Sequence, residues 1–214
     1  MMDLMVLRLI KGQVKDYAVP SVTRISRRKN PYRVLVSCIL SLRTKDETTI
    51  KASRRLFAVA DRPASMLKLS AARIEKLIYP VGFYRNKSRA ILQLSGVLSE
   101  KYSGRVPNSL EELLALKGVG RKTANLVLGL GFGIPAICVD THVHRISNRL
   151  GWVKTESPEE TELALRKIIP RREWIALNTI LVAFGQNLCF PVSPRCSQCR
   201  VLRFCKRRGV DRSR

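Results

Sequence analysis

Helix-start signals followed by apolar residues at helical spacing recur from one end of the chain to the other. In each case a Ser, Thr or Asn precedes a first-turn proline or glutamate, which is the pattern of a capped helix start. These signals occur at Asn30-Pro31, at Thr44 with Glu47, at Ser109 with Glu112, and at Ser157-Pro158. The alternation that predicts strands is nearly absent. The sequence therefore predicts an all-α fold with short turns between helices.

The chain is strongly basic for its length. Its 214 residues include 40 Lys and Arg against 16 Asp and Glu, a formal net charge of +24. The hydrophobic fraction of 45% is that of a folded domain and excludes a disordered basic arm. This charge predicts an anionic partner, and nucleic acid is favoured over a membrane face. Because the sequence lacks both a long apolar run and an export signal, we expect an intracellular protein that does not enter a membrane.

Four of the six cysteines form the pattern C-x6-C-x2-C-x5-C near the end of the chain: Cys189, Cys196, Cys199 and Cys205. The segment from Arg195 to Arg214 has eight basic residues, one acidic residue and few apolar ones, so it needs a cross-link in place of a core. The uneven spacing favours an iron–sulfur cluster over zinc, and a reducing compartment disfavours disulfides, but the spacing leaves all three open. Cys38 and Cys138 are expected to be buried apolar residues.

The most informative stretch is a capped helix that ends at Gly118-Val119-Gly120 and leads directly into a second helix. Two glycines allow the backbone to approach a ligand closely, and the N–H groups at the start of the second helix suit a phosphate. We interpret the stretch as a helix–hairpin–helix that binds a nucleic-acid backbone without reading its sequence. The alternative is an ordinary corner between two packed helices, and the net charge favours DNA binding.

Lys122 lies in the first turn of that second helix, where the helix dipole disfavours a cation. Arg121 and Lys117 add like charge, and any burial would act in the same direction. These effects favour the neutral amine that a lysine nucleophile needs, although most lysines are merely solvated.

Asp140 precedes a further helix, eighteen residues after the lysine, and is expected to cap it. A carboxylate oxygen that the cap does not use could stabilise a cationic intermediate. His142 and His144 follow at a spacing that places them on different helix faces, so we expect structural or phosphate-neighbouring roles rather than a metal site.

Taken together, the motifs LKGVGRKTANLVL and VDTHVHR and the four late cysteines resemble, in order and spacing, the endonuclease III family of helix–hairpin–helix DNA glycosylases. The resemblance covers roughly residues 5–206. It implies an all-α fold of two lobes that flank a DNA-binding cleft. One lobe is a six-helix barrel domain at residues 24–134, and the other is an iron–sulfur cluster domain formed by residues 1–23 and 135–214. It also implies a 4Fe–4S cluster on the four late cysteines.

The same resemblance implies a bifunctional DNA glycosylase and AP lyase that removes oxidised pyrimidines and nicks the strand by β-elimination. Lys122 matches the family's nucleophile and Asp140 its essential aspartate. Ser37 stands where the adenine-removing relatives carry a glutamate, which disfavours that branch. The residues expected to contact DNA are Arg43, Phe83, Gly118, Val119, Gly120, Arg121, His142 and Arg195.

Two residues depart from the family's usual pattern. Arg43 replaces a glutamine that wedges into the duplex, and Lys117 replaces a frequent proline. Arg43 therefore keeps open a glycosylase for mismatched thymine or alkylated bases, and a non-catalytic DNA-binding module is the alternative from another class. The expected partner is double-stranded DNA with damaged bases or abasic sites, bound by a monomer at the nucleoid of a prokaryotic cytoplasm.

Overall fold

The computed structural model describes residues 2–26 and 30–214, with the side chains of Met2 and Asp3 left out. These residues form twelve α-helices and no β-strand, which confirms the predicted all-α class. Contacts divide the described residues into two compact units. The central unit lies within Ser21–Ile134, and the terminal unit combines the residues up to Pro20 with Pro135–Arg214.

The central unit contains eight α-helices and one short π-helical segment in its described residues. The helices are α2 (Ser21–Ile25), α3 (Pro31–Ser41), α4 (Asp46–Val59), α5 (Pro63–Met66), α6 (Ala71–Ile78), α7 (Tyr84–Lys101), α8 (Leu110–Ala115) and α9 (Arg121–Leu126), and the π-helix is Val127–Phe132. Helix α3 lies at the centre of this unit. Its residues Val34, Leu35 and Val36 are fully buried, so it carries almost no solvent-facing surface over that stretch.

The terminal unit combines the N-terminal helix with three helices from the other end of the chain. They are α1 (Met2–Gln13), α10 (Thr141–Leu150), α11 (Pro158–Ile168) and α12 (Trp174–Asn187). Ile10 of α1 packs in one apolar cluster with Ile146 of α10 and Phe184 of α12. Cys199 and Cys205 pack against that cluster, so the basic C-terminal segment rests on a core supplied by distant parts of the sequence.

Three of the four predicted helix starts are confirmed by side-chain caps. The Asn30 side chain accepts from the Arg33 N–H at 3.1 Å, and the hydroxyls of Ser109 and Ser157 accept from N–H groups three residues later at 3.2 Å.

The capping box predicted for Thr44 and Glu47 is wrong. Helix α4 begins at Asp46 with Lys45 as its N-cap and no side-chain cap bond. The Thr44 hydroxyl is instead engaged outside α4, where it accepts from the backbone N–H of Gly82 at 3.2 Å.

No helix in the described part of the chain combines the length and the apolar character that crossing a bilayer requires.

Candidate functional site

The glycine hairpin connects α8 to α9 in five residues. The N–H of Val119 donates to the Leu116 carbonyl at 3.0 Å, and the Val119 side chain is buried, which anchors the turn. Gly118 has a φ of 82°, a left-handed conformation that favours glycine. A Cβ added at Gly118 or Gly120 would meet no atom within 4 Å, so the space beside both is open. A ligand can therefore approach the hairpin backbone, as the sequence predicts for a phosphate site.

Lys122 is the second residue of α9 and its side chain is exposed. Its charge reaches the buried Cys38 thiol of α3: burial raises the pKa of that thiol to about 12, and the Lys122 charge acts in the opposite direction. Lys122 thus lies beside α3 at the open start of α9. The side chain is not buried, and it follows Arg121 at the helix start as the sequence predicts.

Asp140 caps α10 with a single carboxylate oxygen. Its Oδ1 accepts the N–H groups of His142 and Val143, each at 2.9 Å, and the side chain is half-buried. Because both cap bonds end on Oδ1, the cap does not use Oδ2. The residue therefore fulfils the predicted capping role and keeps a carboxylate oxygen that can act on a positive charge.

Arg145 links His142 to the segment from Cys189 to Cys205, which carries the four late cysteines and is called the cysteine segment below. Nη2 of Arg145 lies 3.2 Å from Nδ1 of His142 and donates to the Cys189 carbonyl at 2.8 Å. A guanidinium cannot accept, so Nδ1 is the acceptor and the ring proton of a neutral His142 is on Nε2.

The four late cysteines line one small cavity in the terminal unit, together with apolar side chains of α10 and α12. All six cysteines carry free thiols, so the disulfide alternative is not adopted. Two N–H groups approach the sulfurs: Arg149 Nη1 lies 3.5 Å from Cys189 Sγ, and the Arg207 backbone N lies 3.4 Å from Cys205 Sγ. Four thiols, an apolar lining and N–H donors to sulfur are chemically the donor set of a centre ligated by four thiolates.

Burial disfavours ionisation of two of these thiols, those of Cys199 and Cys205. Burial raises the pKa of the Cys199 thiol to about 11, and the charges of Cys205, Cys189 and Cys196 act in the same direction. Burial likewise raises the pKa of the Cys205 thiol. A cationic centre would relieve this repulsion. In the described residues no group of three or more His, Cys, Asp or Glu is placed so that it could hold a metal ion, so the cofactor stays a prediction.

Arg43 and Phe83 are brought together although forty residues separate them. The Arg43 guanidinium carbon lies 5.9 Å from the centre of the Phe83 ring, and both side chains are exposed. Both residues have left-handed backbone conformations, with φ of 50° and 56°. Such conformations cost about 1–2 kcal/mol for residues other than glycine and cluster at functional sites.

Arg195 is also exposed, and its guanidinium carbon lies 5.4 Å from the centre of the Phe190 ring. It directly precedes the short 3-10 helix Cys196–Gln198, so the cysteine segment presents a cation at its surface.

Two buried basic residues carry no sequence signal that separates them from surface residues. Arg149 is 6% exposed and donates to the carbonyls of Phe190 and Pro191 at 2.6 Å. These bonds hold the irregular backbone that follows Cys189. Lys87 is 7% exposed, and its Nζ donates to the carbonyl of Leu40 in the last turn of α3 at 2.9 Å. Only the tertiary structure identifies them.

Comparison with known proteins identifies the class that this fold and hairpin define. The sequence profile of the HhH-GPD superfamily of base excision DNA repair proteins matches residues 36–171, and the chain belongs to this superfamily.

Within the superfamily the chain is similar to endonuclease III. It is 52% identical to endonuclease III of Thermotoga maritima over 189 residues, which are 87% of this chain and 89% of that protein. A non-covalent endonuclease III–DNA complex matches with a TM-score of 0.85 and 37% identity, over 96% of this chain and 94% of that one. A trapped covalent endonuclease III–DNA intermediate matches with a TM-score of 0.83 and 36% identity, over 96% and 95%.

Proposed function

We propose that this chain is a bifunctional DNA glycosylase and AP lyase of base excision repair that removes oxidised pyrimidines from duplex DNA. The observation that carries the proposal is the exposed Lys122 at the start of α9, directly after an open glycine hairpin. The similarity to a covalently trapped endonuclease III–DNA intermediate supports a mechanism that includes a protein–DNA bond.

Duplex DNA is bound by its backbone before any chemistry. The hairpin presents backbone N–H groups next to open space, and the net charge of +24 attracts the phosphates. A base inside the stack cannot be reached, so the nucleotide leaves the helix at a cost of about a few kcal/mol, which is lower for a damaged base. Arg43 and Phe83 form an exposed pair of the kind that fills the vacated space.

The amine of Lys122 then attacks the deoxyribose C1′. The C1′–N bond to the enzyme forms as the bond to the base breaks, and the base departs with the electron pair and takes up a proton. Oδ2 of Asp140, which its cap does not use, stabilises the positive charge that develops on the sugar. The attacking nitrogen gives up a proton, its lone pair forms the C1′=N bond, and the C1′–O4′ bond breaks. O4′ takes up a proton, which leaves a ring-opened Schiff base. Loss of a C2′ proton then expels the 3′ phosphate, which nicks the strand.

The cysteine segment would hold a 4Fe–4S cluster through Cys189, Cys196, Cys199 and Cys205. When bound, the cluster supplies a cross-link that replaces a hydrophobic core for this basic segment. Arg195 faces solvent from it and contributes a phosphate contact, and His142 contributes another from the start of α10. The enzyme acts on chromosomal DNA, as a monomer, at the nucleoid of a prokaryotic cell.

Borohydride trapping tests this function. Wild-type protein incubated with an abasic duplex and sodium borohydride should form a covalent adduct, and Lys122→Gln should abolish it because the amide cannot form a Schiff base. Lys117→Gln is the matched control: it removes a charge from the same hairpin but leaves the nucleophile, so the adduct should persist. Undiminished trapping by Lys122→Gln would overturn the assignment.

Arg43 at the wedge position makes the choice of lesion a separate question. Oligonucleotides that carry thymine glycol, dihydrouracil, mismatched thymine or an alkylated base, each in the same sequence context, rank the substrates directly. Highest kcat/KM on the two oxidised pyrimidines supports the proposal. Preference for mismatched thymine or the alkylated base would replace it with a different specificity of the same fold.

A further inference from the structure

The backbone is strained at Arg43 and at Phe83, so other contacts must stabilise these two turns. Both residues are exposed and have left-handed backbone conformations with φ of 50° and 56°, which side chains other than glycine rarely adopt. Such a conformation persists only where the surrounding structure determines it. The contacts that determine it therefore lie beneath the exposed pair.

Lys87 supplies those contacts from the first turn of α7. Its side chain is 7% exposed, and its Nζ donates to the carbonyls of Leu40 at 2.9 Å and Leu42 at 2.5 Å and to the Thr44 hydroxyl at 3.2 Å. Leu40 lies in the last turn of α3 and Leu42 is the C-cap residue of this helix, positions where a carbonyl has no helical N–H to accept. The three acceptors flank Arg43 on both sides, so one ammonium fixes the chain before and after it.

A second set of contacts ties the Phe83 turn to the same point. The Thr44 hydroxyl, which Lys87 holds, also accepts from the N–H of Gly82 at 3.2 Å. A Cβ added at Gly82 would lie 2.7 Å from the Arg43 carbonyl oxygen, so the two turns are in backbone contact. The exposed pair thus stands on a single hydrogen-bonded junction that has Lys87 at its base.

We infer that Lys87 is a positioning residue that holds Arg43 and Phe83 as a preformed wedge for the space left by the extruded nucleotide. The inference rests on the proposed function, because it assigns a task within base extrusion. Lys87 is buried and acts through the two turns instead of touching DNA. Preformation matters because two turns that become ordered only on binding would lose conformational entropy at the moment of extrusion.

The test compares Lys87→Met, which keeps the apolar stem and removes the donors, with Lys101→Met, an exposed lysine on the same helix. The first readout is the fluorescence of 2-aminopurine placed next to a thymine glycol, which rises when its neighbour leaves the stack. The second is kcat/KM for base release, and the third is borohydride trapping on a preformed abasic duplex. Lys87→Met should lose the fluorescence rise and on the order of tenfold to a hundredfold in kcat/KM, while trapping persists and Lys101→Met matches wild type.

A double-mutant cycle with Arg43→Ala separates positioning from a general loss of structure. If Lys87 acts through the wedge, Lys87→Met should cost little further kcat/KM in a chain that already carries Arg43→Ala. The inference is overturned if the kcat/KM losses of the two single variants multiply in the double variant. It is also overturned if Lys87→Met shows the same fluorescence rise as wild type. If Lys87→Met does not fold, Thr44→Val is measured in its place, because it removes the hydroxyl that accepts from both Lys87 and Gly82. The same losses of fluorescence rise and of kcat/KM are expected for it. Absence of trapping by wild-type protein would reject the proposed function, whereas trapping with an unaffected fluorescence rise in the variant would reject this inference alone.

Discussion

Oδ1 of Asp140 accepts the backbone N–H of Val143 at 2.9 Å, the last of the two bonds that cap α10. The capping role and the proposed electrostatic role of this carboxylate can therefore be separated, because asparagine caps a helix as well as aspartate does but carries no charge.

We predict that Asp140→Asn keeps the stability of the protein and loses most of its base release. The rate should fall by about 10²- to 10³-fold, the size found when one group that stabilises developing charge is removed. Single-turnover excision and urea unfolding measure the two effects. Ser157→Ala, which removes the cap of α11, is the control: it should lower the free energy of unfolding by about 1 kcal/mol and leave excision unchanged. Wild-type excision by a stable Asp140→Asn would leave the residue with a structural role only.

Arg149 should be needed for the cysteine segment to retain the proposed cluster. Replacing it with Met removes the donors to the part-buried carbonyls of Phe190 and Pro191, and hydrogen bonds from a charged donor contribute about 1.5–3 kcal/mol each. We expect a lower thermal midpoint together with a reduced iron content per chain. Arg200→Met, an exposed arginine of the same segment, should retain both. Full iron retention by Arg149→Met would show that the cysteines hold the segment without this contact.

Gly82→Ala should displace the proposed wedge of Arg43 and Phe83 while leaving both of these side chains unchanged. A Cβ at Gly82 would lie 2.7 Å from the Arg43 carbonyl oxygen, and backbone cannot yield as a flexible side chain does, so the two turns must separate. Excision from a damaged duplex should fall by about tenfold or more, since small misplacements are costly. Gly96→Ala on α7, where an added Cβ meets nothing within 4 Å, should be neutral for excision and stabilise the helix by about 0.5–1 kcal/mol. Equal excision by both variants would contradict the close approach.

The sequence predicts the helical class and most helix starts because these depend on local patterns. Asn30, Ser109 and Ser157 cap their helices as their neighbours indicate, since an N-cap needs only residues within one turn. The buried state of Cys38 and the position of Asp140 at the start of α10 follow from the same kind of signal.

The failures share one physical cause, which is competition from distant residues. Thr44 and Glu47 fit a capping box, yet the Thr44 hydroxyl is taken by Lys87 and Gly82, some forty positions away. Lys87 itself lies in a polar stretch that is typical of an exposed helix, and only the packing of α7 shows that it is buried. The left-handed backbone of Arg43 and Phe83 could not be predicted from the sequence either, because neither position is a glycine.

Arg195 should contribute one phosphate contact. The side chain is exposed at the surface of the cysteine segment, so Arg195→Ala should reduce the slope of log affinity against log salt by about 0.9, the value for one phosphate on duplex DNA. Binding of an undamaged duplex measured by anisotropy across a salt series gives the slope. Arg171→Ala, an exposed arginine elsewhere in the terminal unit, provides the reference. An unchanged slope for Arg195→Ala would remove this residue from the interface.

Lys87 should leave a signature in the dependence of stability on pH. Burial lowers the pKa of its ammonium from 10.5 to about 8 in the folded protein. Below about pH 8 both the folded and the unfolded chain hold this proton, so the residue adds no pH dependence. Between about pH 8 and 10.5 the unfolded chain binds more of it, and the free energy of unfolding therefore rises with pH. Urea unfolding across this range should show wild type gaining stability relative to Lys87→Met, whereas the difference between wild type and Lys101→Met should stay constant. A flat difference for Lys87→Met would mean that the ammonium is better solvated than its burial at 7% exposure implies.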